Sequence, residues 1–202
     1  MLSPCSPLLL EMIIGRSRPF LTWLRPLLEK HFGCTGPEWD VENLYRTLTR
    51  VRRSAIRADA DELTYPVHIM LRYDLEKQIF EGTMPVRNLP EAWRARFKAD
   101  LGLTPPDDRD GCLQDVHWYA GGFGGAFQGY TIGNILSAQF MAAAKAVHPD
   151  IDARMAAGDT SDLHAWLRQN VYRHGAKFPP AELVRRATGQ PMTIAPYMDY
   201  LH

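Results

Sequence analysis

The chain has 202 residues, 23 Lys and Arg against 23 Asp and Glu, and 46% hydrophobic residues. This composition excludes a disordered chain, and zero net charge argues against a nucleic-acid binder working through a general basic surface. The opening apolar stretch, Leu8 to Ile14, is too short to span a bilayer, carries Glu11 and lacks a secretory signal's basic flank, so a soluble cytoplasmic protein is expected.

Helix signals dominate from there on. Phe20, Trp23, Leu24, Leu27 and Leu28 follow the spacing of one buried helix face. Pro19 can open that helix, Pro26 should kink it and Gly33 should stop it. A second helix is predicted from about Leu63 to Phe80, starting near Thr64, with a ladder of Leu63, Val67, Leu71, Leu75 and Ile79 and with Gly82 after its end. Pro90, Trp93, Phe97, Leu101 and Gly102 spell a short helix. Ile132, Ile135, Leu136, Phe140, Ala143, Ala144 and Val147 give the cleanest helical pattern. Asp159, Thr160 and Ser161 offer caps to a helix through Val171, ended by Gly175. Pro179 and Pro180 precede another through Ala187, ended by Gly189, and Thr193 to Leu201 reads as a final turn or two. Strand signals are weak: Thr49 to Ile56 and Cys112 to Trp118 are the extended candidates. The expected fold is all-α with at most a small β-ribbon.

Three clusters carry candidate chemistry. In Ile56-Arg57-Ala58-Asp59-Ala60-Asp61-Glu62 the acids suit a helix N-terminus or a metal, and Arg57 offers a fork for a carboxylate. Gly111 to Trp118 concentrates Gln114, Asp115, His117 and Trp118, where His117 suits a general base, a donor to a carbonyl, a metal ligand or a structural residue. The run Gly121 to Tyr130 leads into a helix, but Phe127 breaks the dinucleotide pattern and no Gly-Lys-Ser/Thr comes after it, so an aromatic-glycine loop beside a cleft is expected. Cys5, Cys34 and Cys112 are odd in number and far apart, which excludes a disulfide framework or a cysteine-rich zinc site. No histidine starts H-E-x-x-H and there is no G-x-S-x-G.

Taken together, these motifs resemble the C-terminal part of the carboxypeptidase Taq family of zinc metallocarboxypeptidases. Gly15-Arg16-Ser17-Arg18-Pro19-Phe20 looks like its G-R-S-R-x-F, and Ile56 to Asp61 fits I-R-x-x-A-D, continuing as Glu62-Leu63-Thr64-Tyr65. Gly111 to Trp118 fits G-x-x-Q-D-x-H-W. His174-Gly175, Ala187-Thr188-Gly189 and Tyr197 to Leu201 look like the family's end. The similarity starts near Leu8, so residues 1–7 form a divergent segment and 8–202 a single helical domain.

The resemblance implies removal of C-terminal residues from peptides. Arg57 would engage the substrate's carboxylate, and Gln114, Asp115, His117 and Trp118 would line the cleft near the scissile bond. Family enzymes are much longer. Their first half carries H-E-x-x-H, with two zinc-binding histidines and the glutamate base, and the third ligand sits just upstream of G-R-S-R, where this chain has Pro4. The resemblance therefore implies no catalytic or metal-binding residue and no cofactor of this chain's own; zinc or cobalt belongs to the full-length enzyme. The family's F-G-Y-F-P-x-Y loop also departs here. The chain has one extra residue, Gly125 and Ala126 supply no phenol, and Tyr130 matches the later tyrosine.

The expectation is a carboxypeptidase part that is silent in isolation. The alternatives are a non-enzymatic peptide-binding or assembly module, and a metal site rebuilt from Cys5, His117 and the acids near Asp61. Expected partners are peptide C-termini and either further copies of the chain or an N-terminal half. No nucleic acid and no membrane are expected.

Overall fold

The structure is a computed structural model and describes residues 5–118, 124 and 127–202. Its α-helices, in chain order, are α1 (Cys5–Leu8), α2 (Arg18–Phe32), α3 (Val41–Leu48), α4 (Tyr65–Phe80), α5 (Leu89–Leu101), α6 (Gly129–Val147), α7 (Ile151–Ala156), α8 (Ser161–Asn170), α9 (Pro180–Thr188) and α10 (Ala195–Leu201). Backbone contacts divide the chain into two compact units, Met1–Thr49 with Ile132–His202, and Arg50–Thr131.

In the first unit, α1 runs into a π-helical turn, Leu9–Ile14, whose Leu9, Met12, Ile13 and Ile14 are buried. The Gly15 N–H bonds back to the Leu10 carbonyl, five residues earlier, as the wider π turn requires. A Cβ at Gly15 would stand 3.0 Å from the carbonyl oxygens of Leu10 and Glu11, so the position favours glycine. Ser17 then caps α2: its hydroxyl accepts from the Phe20 N–H at 3.3 Å and donates to the Ile14 carbonyl at 2.7 Å. Gly33, at φ 68°, closes the helix in the left-handed conformation. Arg18 stacks 3.5 Å over the Tyr45 ring and pairs with Glu42, which also meets Arg46.

The core of this unit is built on α6. Leu136, Phe140 and Ala144 recur every fourth residue and meet Trp166 and Leu167 of α8, Leu183 and Val184 of α9, and Leu9, Ile13 and Ile14. Gln139, 1% exposed, is the polar member. Its amide nitrogen donates to Thr188 and to the Pro191 carbonyl, and its oxygen accepts from the Thr193 N–H. That fully bonded amide ties down the connection between α9 and α10.

The second unit is organised by α4 and α5. Leu89, Trp93, Phe97 and Leu101 form the buried ladder of α5 and pack on Leu71 and Leu75 of α4, with Met84 and Cys112. Pro90 opens α5 and Gly102 ends it at φ 72°. The fold is all-α, as expected, and the small ribbon that expectation allowed for does not form among the described residues. Among the described residues, Thr49 to Ile56 and Cys112 to Trp118 contain no strand; Val116–Trp118 is instead a 3₁₀ turn. Side chains take backbone donors in and directly after the first segment: Asp61 accepts from the Arg52 N–H, and Gln114 from the N–H of Arg57, the residue after Ile56.

Most predicted helices lie where their patterns place them, with three adjustments. Leu63 precedes α4 and is 49% exposed, so it is not part of the ladder. α6 begins at Gly129, and its outer pattern members Ile132 and Val147 are exposed. α3 and α7, of eight and six residues, are too short to show a periodic signature. No helix among the described residues is long and apolar enough to cross a membrane.

Candidate peptide-carboxylate site

All five residues singled out from the sequence lie in the Arg50–Thr131 unit, and four of them meet directly. Asp61 sets the frame. Its Oδ1 accepts from the Leu63 and Thr64 N–H groups at 2.9 Å, and its Oδ2 from the Thr64 hydroxyl at 2.9 Å and the Arg52 N–H at 2.8 Å. Burial pushes this carboxyl up, but the hydrogen bonds outweigh it and hold its pKa below the ordinary aspartate value. Asp61 is therefore committed to shaping the entry to α4. Among the described residues, no group of three His, Cys, Asp or Glu side chains could hold a metal ion, and Cys5's side chain lies outside what is described. A rebuilt metal site gains no support.

Just before Asp61, a 3₁₀ turn, Arg57–Asp59, presents Arg57. Gln114 holds the turn in place. Its amide oxygen accepts from the Arg57 N–H at 2.7 Å, and its nitrogen is shared among the carbonyls of Ala55, Asp110 and Gly111. The two sequence motifs are thus stitched together by one side-chain amide, which serves the backbone on both sides.

The charged centre is Asp115, 3% exposed. Its Oδ2 faces Arg57 Nε at 3.4 Å and Arg72 Nε at 3.7 Å. Its Oδ1 accepts from the His117 N–H at 3.1 Å and meets His117 Nδ1 at 2.5 Å. A carboxylate against Nδ1 favours the tautomer with the proton there, which leaves Nε2 as an acceptor for the Tyr130 hydroxyl at 3.3 Å. The imidazole also stands edge-on to Phe127 and Tyr130, at 5.3 and 5.9 Å between centroids.

Arg57 donates to the Tyr65 hydroxyl at 3.2 Å, and its guanidinium carbon lies 5.1 to 6.0 Å from the rings of Phe127, Tyr65 and Tyr130. This aromatic surround keeps the cation in a poorly solvated setting, where an arriving anion meets little competition from water. Trp118 joins through its indole, which donates to the Cys112 carbonyl at 2.7 Å, while its ring carries the Arg72 guanidinium at 3.5 Å.

Arg72, Glu76 and His68, all on α4, belong to the surroundings of the site and were not singled out from the sequence. Arg72, 2% exposed, pairs with Glu76 at 2.9 Å. Burial pulls its pKa down, with Glu76 and Asp115 opposing. His68, also 2% exposed, lies edge-on to Phe97 at 5.2 Å. Burial, aided by the positive charge of Arg57, pushes its pKa down to about 4, against Asp61 and a backbone contact from Ser54. The only sequence signal for the Arg72–Glu76 pair is the opposite charges four residues apart, set between the apolar Leu71 and Leu75. Of the glycine-rich run, positions 121–123, 125 and 126 lie outside the described residues.

The carboxypeptidase Taq (M32) metallopeptidase family model matches residues 5–202. The chain belongs to that family. It is 37% identical over 191 residues to thermostable carboxypeptidase 1 of Thermus thermophilus, covering 95% of this chain and 37% of that protein. With carboxypeptidase 1 of Bacillus subtilis the identity is 34%, over 95% of this chain and 38% of the relative. Among solved structures, the M32 carboxypeptidase of Deinococcus radiodurans superposes with a TM-score of 0.91 at 49% identity, covering 98% of this chain and 40% of that one. Metallocarboxypeptidase 1 of Trypanosoma cruzi gives 0.90 at 36% identity, over 96% of this chain and 40% of its own. The chain thus spans about two fifths of the length of these metallopeptidase relatives.

Proposed function

We propose that this chain supplies the part of a family carboxypeptidase that recognises the C-terminal carboxylate of a peptide, and that it does not hydrolyse peptides by itself. The observation that carries the reading is Arg57, held by Gln114 and Asp115 among three aromatic rings. Of the five guanidinium N–H groups, one goes to Tyr65 and Nε turns to Asp115, and the remaining edge suits a bidentate carboxylate. His117, oriented by Asp115, stands beside it to meet the substrate's terminal amide.

Hydrolysis in a metallopeptidase also needs a metal to polarise the carbonyl and activate water. The described residues do not fit a protein-held zinc, which takes three or four convergent ligands. Those ligands would come from chain equivalent to the rest of the relatives. The reading also includes a cytoplasmic setting, in keeping with the free Cys34 and Cys112. Self-association is part of it too, favoured by exposed Phe32 and Val147.

Titration with peptides ending in a free carboxylate or an amide tests the reading. The free acid should bind, the amide should bind at least about tenfold more weakly, and Arg57→Lys should erase the difference by losing the fork. Equal affinity for acid and amide would refute carboxylate recognition. Turnover by the isolated chain with added zinc or cobalt would refute its silence.

A further inference from the structure

Beside the Arg57 cluster, and wholly within the Arg50–Thr131 unit, lies a cavity of about 250 Å³. His117 borders both the cavity and the cluster, through Asp115. The remaining walls are mostly apolar, with Ile79, Leu89, Leu113 and the Trp118 ring the main contributors. Phe80 and Leu113, 55% and 54% exposed, mark the solvent side. Gly124 completes the wall at Phe80: a Cβ there would fall 2.7 Å from the ring, and its φ of 83° disfavours a side chain.

We propose that this cavity receives the side chain of a peptide's C-terminal residue and selects a large apolar one. The inference rests on the carboxylate reading of Arg57 and adds to it the identity of the preferred residue. Three observations support it. An apolar cavity of ~150 Å³ already takes benzene, so about 250 Å³ admits a phenylalanine or leucine side chain. It falls below the ~300–1,000 Å³ of sites for larger ligands. The charged groups facing the cavity, Arg72 and Glu76, are buried and already paired at 2.9 Å. A lysine or aspartate side chain would be desolvated without a surplus partner, whereas an apolar one loses nothing. Finally, His117 Nδ1 lies 2.5 Å and Arg57 Nε 3.4 Å from the two oxygens of one carboxylate, Asp115. A residue with its carboxylate at Arg57 therefore has His117, and the cavity that His117 lines, within the reach of its own side chain.

The test uses the 202-residue chain and acetylated tetrapeptides ending in Phe, Leu, Gly or Asp, each as free acid and as amide. Binding is followed by the Trp118 indole N–H resonance. Phe and Leu acids should bind at least about tenfold tighter than Gly and Asp acids, and should move the Trp118 signal. Leu113→Trp, at an exposed wall position, should bring the Phe affinity toward that of Gly. Equal affinities for Phe and Gly acids, with amides still weak, would overturn the cavity assignment and leave Arg57 recognition standing. A Phe preference shared by acids and amides would uphold the cavity and overturn the Arg57 reading. No binding of any peptide at millimolar concentration would overturn both.

Discussion

The buried imidazole of His68 makes the stability of this protein sensitive to mild acid in a way that one substitution should remove. At neutral pH the ring is uncharged in both folded and unfolded chains. As pH falls through 6.5 the unfolded chain takes up a proton, while the folded chain, with a pKa near 4, does not. The unfolded state then binds more protons, so stability drops as pH falls. Each pH unit between the two values costs about 1.4 kcal/mol, so from pH 7 to pH 4 His68 alone should remove about 3 kcal/mol. The groups around the ring are Arg57, Asp61, the Ser54 backbone and Phe97; the carboxylate of Asp61 is already spent on the backbone and Thr64. Nothing there offers a protonated ring full compensation. Urea denaturation of the parent and of His68→Leu should be followed by circular dichroism at pH 7, 6, 5 and 4, with His68→Gln as a second variant. The parent should lose about 3 kcal/mol more than either variant across that range. Stability curves that stay parallel down to pH 4 would refute the reasoning, as would an imidazole that titrates near 6.5 by NMR.

Four other substitutions have defined outcomes. Asp115→Asn leaves Arg57 and Arg72 without their shared carboxylate and should cost about 3–5 kcal/mol in urea denaturation. Gln114→Ala strands the Arg57 N–H and should cost about 1–3 kcal/mol, while weakening binding of free-acid peptides in the same titration used for Arg57. Phe97→Ala empties a fully buried site between α4 and α5 and should cost about 3–5 kcal/mol, read as a lower denaturation midpoint at unchanged slope. Ser17→Ala removes the cap of α2 and should cost about 1 kcal/mol, most of it restored by Ser17→Thr.

Where a helix has one buried face and punctuated ends, the amino-acid sequence announces it. α5 shows this best: proline at its start, an apolar residue every fourth position and glycine after its last turn together leave few alternatives. The segments Thr49 to Ile56 and Cys112 to Trp118 show the opposite case. Their β-branched and aromatic residues read as weak strands, yet N–H groups within or directly after them, those of Arg52, Arg57 and His117, go to the side chains of Asp61, Gln114 and Asp115. Composition records hydrophobicity but not which distant carboxylate or amide will compete for a backbone donor.

The site obeys the same logic one level up. Arg57, Asp115 and His117 stood out because polar residues crowd into short apolar stretches, and they do converge on one carboxylate. Arg72 and Glu76 did not stand out, because a pair of opposite charges four apart on a helix ordinarily lies on its solvent face. In α4 that assumption fails: Arg72 and Glu76 lie on the buried side with His68, Ile69, Leu71 and Leu75, and the exposed face is formed instead by Met70, Tyr73 and Lys77. The consequence is an electrostatic one. Arg57 and Arg72 share Asp115, and Glu76 balances Arg72. Arg57, the guanidinium proposed to meet the peptide carboxylate, is thereby the member whose partner is divided between two cations. Moving one Asp or Glu elsewhere on the surface would change little, but removing the Glu76 charge would shift Asp115 toward Arg72 and leave Arg57 freer to bind an anion. Glu76→Gln should therefore lower stability while tightening the free-acid peptide. A matched loss of both stability and affinity would show instead that Glu76 serves only to hold α4 in place.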